Sequence, residues 1–151
     1  MKKRDFSHAQ CGECGERQFI YKNLKDSYKT RWKDFPKITI SVDFTAWECQ
    51  ICKNVAFSGS DLDSLDNAAN ESIRSQASAF IEVIKSRSKI TSKKLSTILG
   101  VSPEYLSVIN SKTKTPSFQL WNLLRVISQD PCGMVARFDP NESKSDIIVS
   151  A

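Results

Sequence analysis

From residue 71 onward the apolar side chains return at helical spacing. Ile73, Ala77, Phe80, Ile81 and Ile84 make one stripe and predict a helix over about 71–88. Before residue 58 the rhythm is different. RQFIY (17–21) reads as a strand, and KITISVDFTAW (37–47) alternates so that Ile38, Ile40, Val42 and Phe44 share a face. GSDLDSLDNAANE (59–71) lies between the two patterns, polar and rich in turn formers, and reads as a linker. The expected class is therefore α+β in two modules. A small N-terminal β module spans 1–58, an acidic linker 59–71, an all-α module 72–130 and a tail 131–151, in which DIIVS (146–150) reads as a short added strand or as disordered.

Within the second module the pattern becomes specific. Thr91 is a candidate N-cap for a short helix, with Leu95 and Leu99 inward and Ser96 small where a following helix must approach. Gly100 supplies a tight turn and Val101 packs into it. Ser102 caps the next helix, Pro103 occupies its first turn, and Leu106 and Ile109 anchor it. This is the set of positions that a helix-turn-helix needs, because two short helices must cross with the turn pinned between them. SKTKTP (111–116) reads as a loop. Ser117 caps a fourth helix with Leu120, Leu124 and Ile127 inward, flanked by Trp121 and Leu123, and Pro131 ends it. The competing reading is a helical bundle that uses the same pattern only for packing.

Charge sharpens the division. Residues 1–58 carry 11 basic and 7 acidic side chains, 59–71 four acids and no base, and 72–130 nine bases against three acids. Two basic modules joined by an acidic connector point to a polyanionic partner for the modules. No apolar run is long enough for a membrane span and no secretory leader pattern opens the chain, so a cytoplasmic location is expected. No catalytic set is visible: no base partners a cysteine, no paired acids stand at useful spacing, and no glycine loop suits a phosphate. The expectation is a protein that is not an enzyme.

Four of the five cysteines form two CxxC pairs, Cys11/Cys14 and Cys49/Cys52. Two such knuckles complete a closed tetrahedral thiolate shell, the chemistry of one structural Zn²⁺ site, and strands between them would make a zinc ribbon. A redox or iron–sulfur role and metal-free cysteines are the alternatives. His8, three residues before Cys11, is an alternative ligand beside an already complete set, and Cys132 has no partner near it in sequence.

The order CxxC…CxxC, linker, then a helix-turn-helix of the Cro/C1 (Xre) type resembles the MqsA-type antitoxins of bacterial toxin–antitoxin systems. The resemblance rests most on AWECQICKN (46–54) and TPSFQLWNLLRVI (115–127) and covers roughly residues 11–130. It implies a structural zinc ribbon that faces a cognate toxin, and a helical domain that forms a homodimer and represses its own operon on palindromic double-stranded DNA. Aligned through the helix anchors, the family's base-reading positions fall on Glu104 and Val108, where no arginine stands. Glu104 suits a cytosine amino group and Val108 a thymine methyl, while Ser102 and Ser107 suit either a phosphate or a base. Thr91, Ser92, Lys93, Ser111, Lys112 and Lys114 are the expected phosphate contacts. The usual glycine closing such a helix is replaced within Ile109-Asn110-Ser111-Lys112. Two rival functions remain at this point. One is a stand-alone phage or chromosomal regulator. The other is a zinc-ribbon RNA-binding protein with Arg31, Trp32, Lys33 and Phe35 as its basic–aromatic surface.

Overall fold

A computed structural model describes residues 3–140. They form the two-module α+β arrangement, divided into one compact unit up to Ser72 and another from Ile73. In the first unit, strands β1 (Phe19–Asn23), β4 (Thr45–Cys49) and β5 (Val55–Ala56) make an antiparallel sheet in the order β1-β4-β5. Phe19 pairs with Cys49 and Asn23 with Thr45, so the strand register places Cys49 at the end of the sheet nearest the first knuckle. Strands β2 (Lys29–Trp32) and β3 (Phe35–Thr39) form a separate hairpin closed at Trp32–Phe35.

Two sequence expectations change here. The stretch 37–47 is not one strand: β3 ends at Thr39 and β4 starts at Thr45, although Ile38, Ile40 and Phe44 are all buried as the alternation required. The chain crosses from hairpin to sheet in the gap, where Ile40 bonds the backbone of Tyr28 and Asp26 and Phe44 that of Leu24 without a continuous strand forming. The acidic stretch 59–71, expected as a linker, is helical. Helix α1 runs from Gly59 to Ser88. Its start is fixed by Asp61, whose Oδ2 accepts from both the Ser58 backbone N–H (2.9 Å) and the Ser58 hydroxyl (2.7 Å). This is the return half of a capping box, and it also puts an acid where the helix dipole favours one. The opening turns of α1 belong to the first unit: Trp32 Nε1 donates to Asp66 Oδ1 (2.7 Å), the Ser41 amide donates to Ser72 Oγ (2.9 Å), and Ala68, Ala69 and Ser72 are buried.

The second unit holds the rest of α1 with α2 (Ser92–Leu99), α3 (Pro103–Asn110), α4 (Phe118–Gln129) and α5 (Pro131–Phe138). Thr91, Ser102 and Ser117 are the N-caps, their hydroxyls accepting from the amides of Lys94, Tyr105 and Leu120. Each such cap contributes about 1 kcal/mol. Ile73, Ile81, Ile84, Leu95, Leu106, Ile109, Leu124 and Ile127 form a core from which solvent is excluded. Gly100 ends α2 in the left-handed region (φ 69°), where its N–H bonds back into the helix and a side chain would be strained.

Residues 131–138, expected as tail, are helical. Asp130 caps α5 by accepting from the Gly133 amide, and Asp139 beyond it is buried and paired with Lys94 at 3.1 Å. The segment 146–150 lies outside the described residues. Among the described residues no helix is long and apolar enough to cross a membrane.

Candidate metal centre and helix-turn-helix face

The two CxxC pairs fold into knuckles with the same internal bonding. In the first, the Gly15 amide donates to the Cys11 carbonyl (2.9 Å) and the Cys11 amide to the Glu16 carbonyl (2.8 Å). In the second, Lys53 donates to Cys49 (2.9 Å) and Cys49 to Asn54 (2.8 Å). Both turns need a left-handed residue after the second cysteine, Gly15 at φ 78° and Lys53 at φ 65°. The repeated geometry aims four sulfurs at one point. Their ligand atoms all lie within 4.8 Å of one another, with Cys11 to Cys52 at 3.5 Å and Cys14 to Cys49 at 3.6 Å. A tetrahedral ion with Zn–S bonds of about 2.3 Å would set its sulfurs roughly 3.8 Å apart, so the cluster needs little adjustment to close on such an ion. Among the described residues these four cysteines alone form such a group. His8 is exposed and outside it, and Cys132 lies elsewhere, donating to the Arg87 carbonyl.

The shell around the sulfurs suits thiolates. The amides of Cys14 and Glu13 bond the Cys11 sulfur and lower its pKa to about 6, and those of Cys52 and Ile51 do the same in direction for Cys49. The Glu16 amide pulls Cys14 down, but burial and the three neighbouring cysteines outweigh it and push Cys14 up to about 12. Cys52 is also raised: the Asn54 amide and Cys14 pull it down, but desolvation with Cys11 and Cys49 outweighs them. Backbone amides thus favour the thiolate at Cys11 and Cys49, while Cys14 and Cys52 hold their protons more firmly. A cation that takes all four as thiolates must displace the protons that remain, so uptake should release protons and affinity should fall as pH drops. Titration calorimetry in two buffers of different ionisation enthalpy measures that release. Apolar side chains cover one side of the centre, where Cys11, Phe19 and Cys49 are buried together with Phe6, Ala9, Trp47 and Ala56 packed against them, while Cys52 is exposed. Glu48, next to Cys49 and largely buried, is paired with Lys22 at 2.9 Å and approached by Lys53 at 3.9 Å.

On the helical unit, α3 presents a plain face. Leu106 and Ile109 are buried, Glu104 and Ser107 are exposed, and Val108 is half-buried rather than fully outward. Asn110 turns inward, accepting from the Ser78 hydroxyl and donating to Glu82. Thr91, Ser92, Lys93, Ser102, Ser111, Lys112 and Lys114 are all exposed around it. The cap hydroxyls of Thr91 and Ser102 accept from the backbone, which leaves their protons to donate outward. Of the two first-turn lysines of α2, Lys94 is held by Asp139, while Lys93 and Lys112 have no carboxylate partner among the described residues. Sequence reasoning missed Tyr105, whose ring lies under the Lys114 ammonium at 5.0 Å. The cation–π pair joins α3 to the following loop and was not visible from spacing. The basic–aromatic surface expected around Arg31 is absent: Trp32 and Phe35 are buried in the hairpin, with Trp32 committed to Asp66, so neither can stack on a base.

A small β unit whose four clustered cysteines could hold a metal ion, followed by a helical unit in which α2 and α3 are joined by a tight turn at Gly100, is what the fold and these clusters define. No family model matches the sequence, and no curated protein matches it.

Proposed function

We propose that the protein is a DNA-binding transcriptional repressor, with α3 as recognition helix and a single structural Zn²⁺ in its ribbon. The observation that carries this reading is the presence on one unit of a capped, core-anchored α2–turn–α3 with exposed lysines beside it: Lys93 in the first turn of α2, and Lys112 and Lys114 just beyond α3. Such cations neutralise phosphates and fix register, while α3 meets base edges. Zinc is the ion this reading assigns, because two CxxC knuckles with four sulfurs gathered at one point make the tetrahedral thiolate set of structural zinc sites. Four protein ligands leave no open position, so the ion stabilises the fold and does no chemistry.

The resemblance to MqsA-type antitoxins extends the reading. In that form the helical unit is a homodimer on a palindromic operator of its own promoter, about one helical turn between half-sites, and the ribbon holds a cognate toxin. A stand-alone regulator differs only in that last element, so co-expression with the product of the adjacent gene separates the two. Stable co-purification supports the antitoxin.

The base-reading face is short of strong readers. Glu104 accepts from a cytosine amino group, Ser107 bonds either way, and half-buried Val108 offers at most a methyl contact. Glu104→Ala is therefore expected to change preference at one base pair, by about 1–3 kcal/mol, with little loss on random duplex. A binding-site selection on both proteins reads this out. An unchanged motif would remove Glu104 from the groove.

A further inference from the structure

Beyond its packing against the cysteine centre, the ribbon presents an aromatic cleft to solvent. Tyr21 on β1 and Trp47 on β4 are cross-strand partners whose rings lie 5.3 Å apart at 45°. With Lys3, Arg4 and Asp5 they line an open cleft of about 160 Å³. Tyr21 is 40% exposed. The N-terminal segment is fastened along one side of the cleft by Phe6, which packs at 6.1 Å from Phe19 and 6.3 Å from Trp47. That anchoring brings two cations to the rim. Lys3 Nζ donates to the Tyr21 hydroxyl (3.1 Å) and lies 5.6 Å from the ring centroid, and Arg4 stands 5.2 Å from the Phe6 ring. Asp5, the one acid of the group, is turned to the Ser7 amide (2.8 Å).

We propose that this cleft binds single-stranded nucleic acid, one unstacked base resting on the Tyr21–Trp47 pair with its flanking phosphates on Lys3 and Arg4. Flat π-faces and flexible cations side by side are what such binding requires, because every base offers a face to stack and every linkage a charge to neutralise. The charge of the surrounding module agrees: residues 1–58 hold 11 bases against 7 acids. A purely apolar occupant would leave the two cations without a function, and a rim of this sign repels a cationic peptide. The site stands on the opposite module from α3, so it adds a second nucleic-acid contact of different strandedness. It also relocates the basic–aromatic surface that Arg31, Trp32, Lys33 and Phe35 cannot provide.

The test uses the full-length, metal-loaded protein carrying Lys93→Ala and Lys112→Ala, which weaken contacts from the helical unit. Fluorescein-labelled U12 and dT12 are titrated at low salt, and anisotropy is read together with tryptophan quenching. The expected result is saturable binding in which Tyr21→Ala costs at least about fivefold, Tyr21→Phe restores the affinity, and Lys3→Ala/Arg4→Ala flattens the salt dependence. Preference for U12 or dT12 then names RNA or DNA as the strand. Unchanged binding and salt dependence in Lys3→Ala/Arg4→Ala, or unchanged binding in a folded Tyr21→Ala, overturns the proposal. So does displacement of U12 by an acidic, phenylalanine-containing peptide at lower concentration, which would give the cleft to a protein partner. The rim variant alters only exposed side chains, so it decides the matter even if Tyr21→Ala fails to fold.

Discussion

Removing the metal, by a strong chelator or by Cys49→Ser, is expected to unfold the first unit and leave most of the second intact. The apolar cluster at the cysteines, Cys11, Phe19 and Cys49, is small; the rest of the first unit's core comes from Leu24, Phe35, Ile38, Ile40 and Phe44, and a module of this size is only marginally stable alone. Structural zinc supplies about 10–16 kcal/mol to comparable small folds, more than any other single interaction available here. The structure refines the expected signal. The opening turns of α1 are tied to the ribbon through Trp32–Asp66 and Ser41–Ser72, so they should melt with it. The turns from Ile73 onward pack on α2–α4 and should persist. Circular dichroism should lose all strand signal and a minor part of its helical signal, in one step reversed by re-addition of Zn²⁺. Complete loss of helix would show that the two units are one folding unit.

The second large effect concerns Lys112. It follows the C-cap of α3, its amide bonding the Ile109 carbonyl, and it is held at φ 63°. Glycine is the residue usually found at this left-handed position, and any other side chain costs roughly 1–2 kcal/mol there. Glycine also loses more chain entropy on folding, by about 0.5–1 kcal/mol. Lys112→Gly should accordingly stabilise the helical unit by about 0.5–1 kcal/mol and raise its Tm by about 2–6 °C. The same change should weaken duplex DNA binding by about tenfold at 0.1 M salt, because one phosphate contact is lost. Lys112→Ala should lose the affinity without gaining the stability, and Lys112→Arg should keep the affinity. Opposite movement of stability and affinity is what a strained position retained for its charge produces. If Lys112→Gly is stabler and binds DNA equally well, the lysine has no part in binding.

The parts of this protein that were legible in its sequence are those set by local chemistry. Thr91, Ser102 and Ser117 announce helix starts because a hydroxyl must meet orphan amides there. The two CxxC pairs announce a common ion because their spacing alone can produce the knuckle. The start of α1 was missed because Gly59, Ser60, Asp63, Ser64, Asn67 and Asn70 are poor helix formers. Burial of Ala68, Ala69 and Ser72 overrides that propensity, and the S-x-x-D pattern at Ser58–Asp61 was the available signal. The break in 37–47 could not be read, since Ile40 and Phe44 alternate as strand residues do and are buried without being in one. Pairs distant in sequence, such as Trp32–Asp66, Lys94–Asp139 and Tyr105–Lys114, exist only once the chain has folded. One of them takes up Lys94 and leaves Lys93 without a carboxylate partner among the described residues. Another removes the aromatic surface once expected on the hairpin.

The central claim, that the helix-turn-helix binds duplex DNA through Lys93 and Lys112, is tested most directly by salt-dependent binding to the duplex upstream of the protein's own coding sequence. Log affinity against log salt should be linear for the native protein. For Lys93→Ala/Lys112→Ala the slope should be shallower by about two, with affinity reduced on every duplex tested. Parallel slopes for the two proteins, or tighter binding to unrelated RNA than to the duplex at moderate salt, would contradict it.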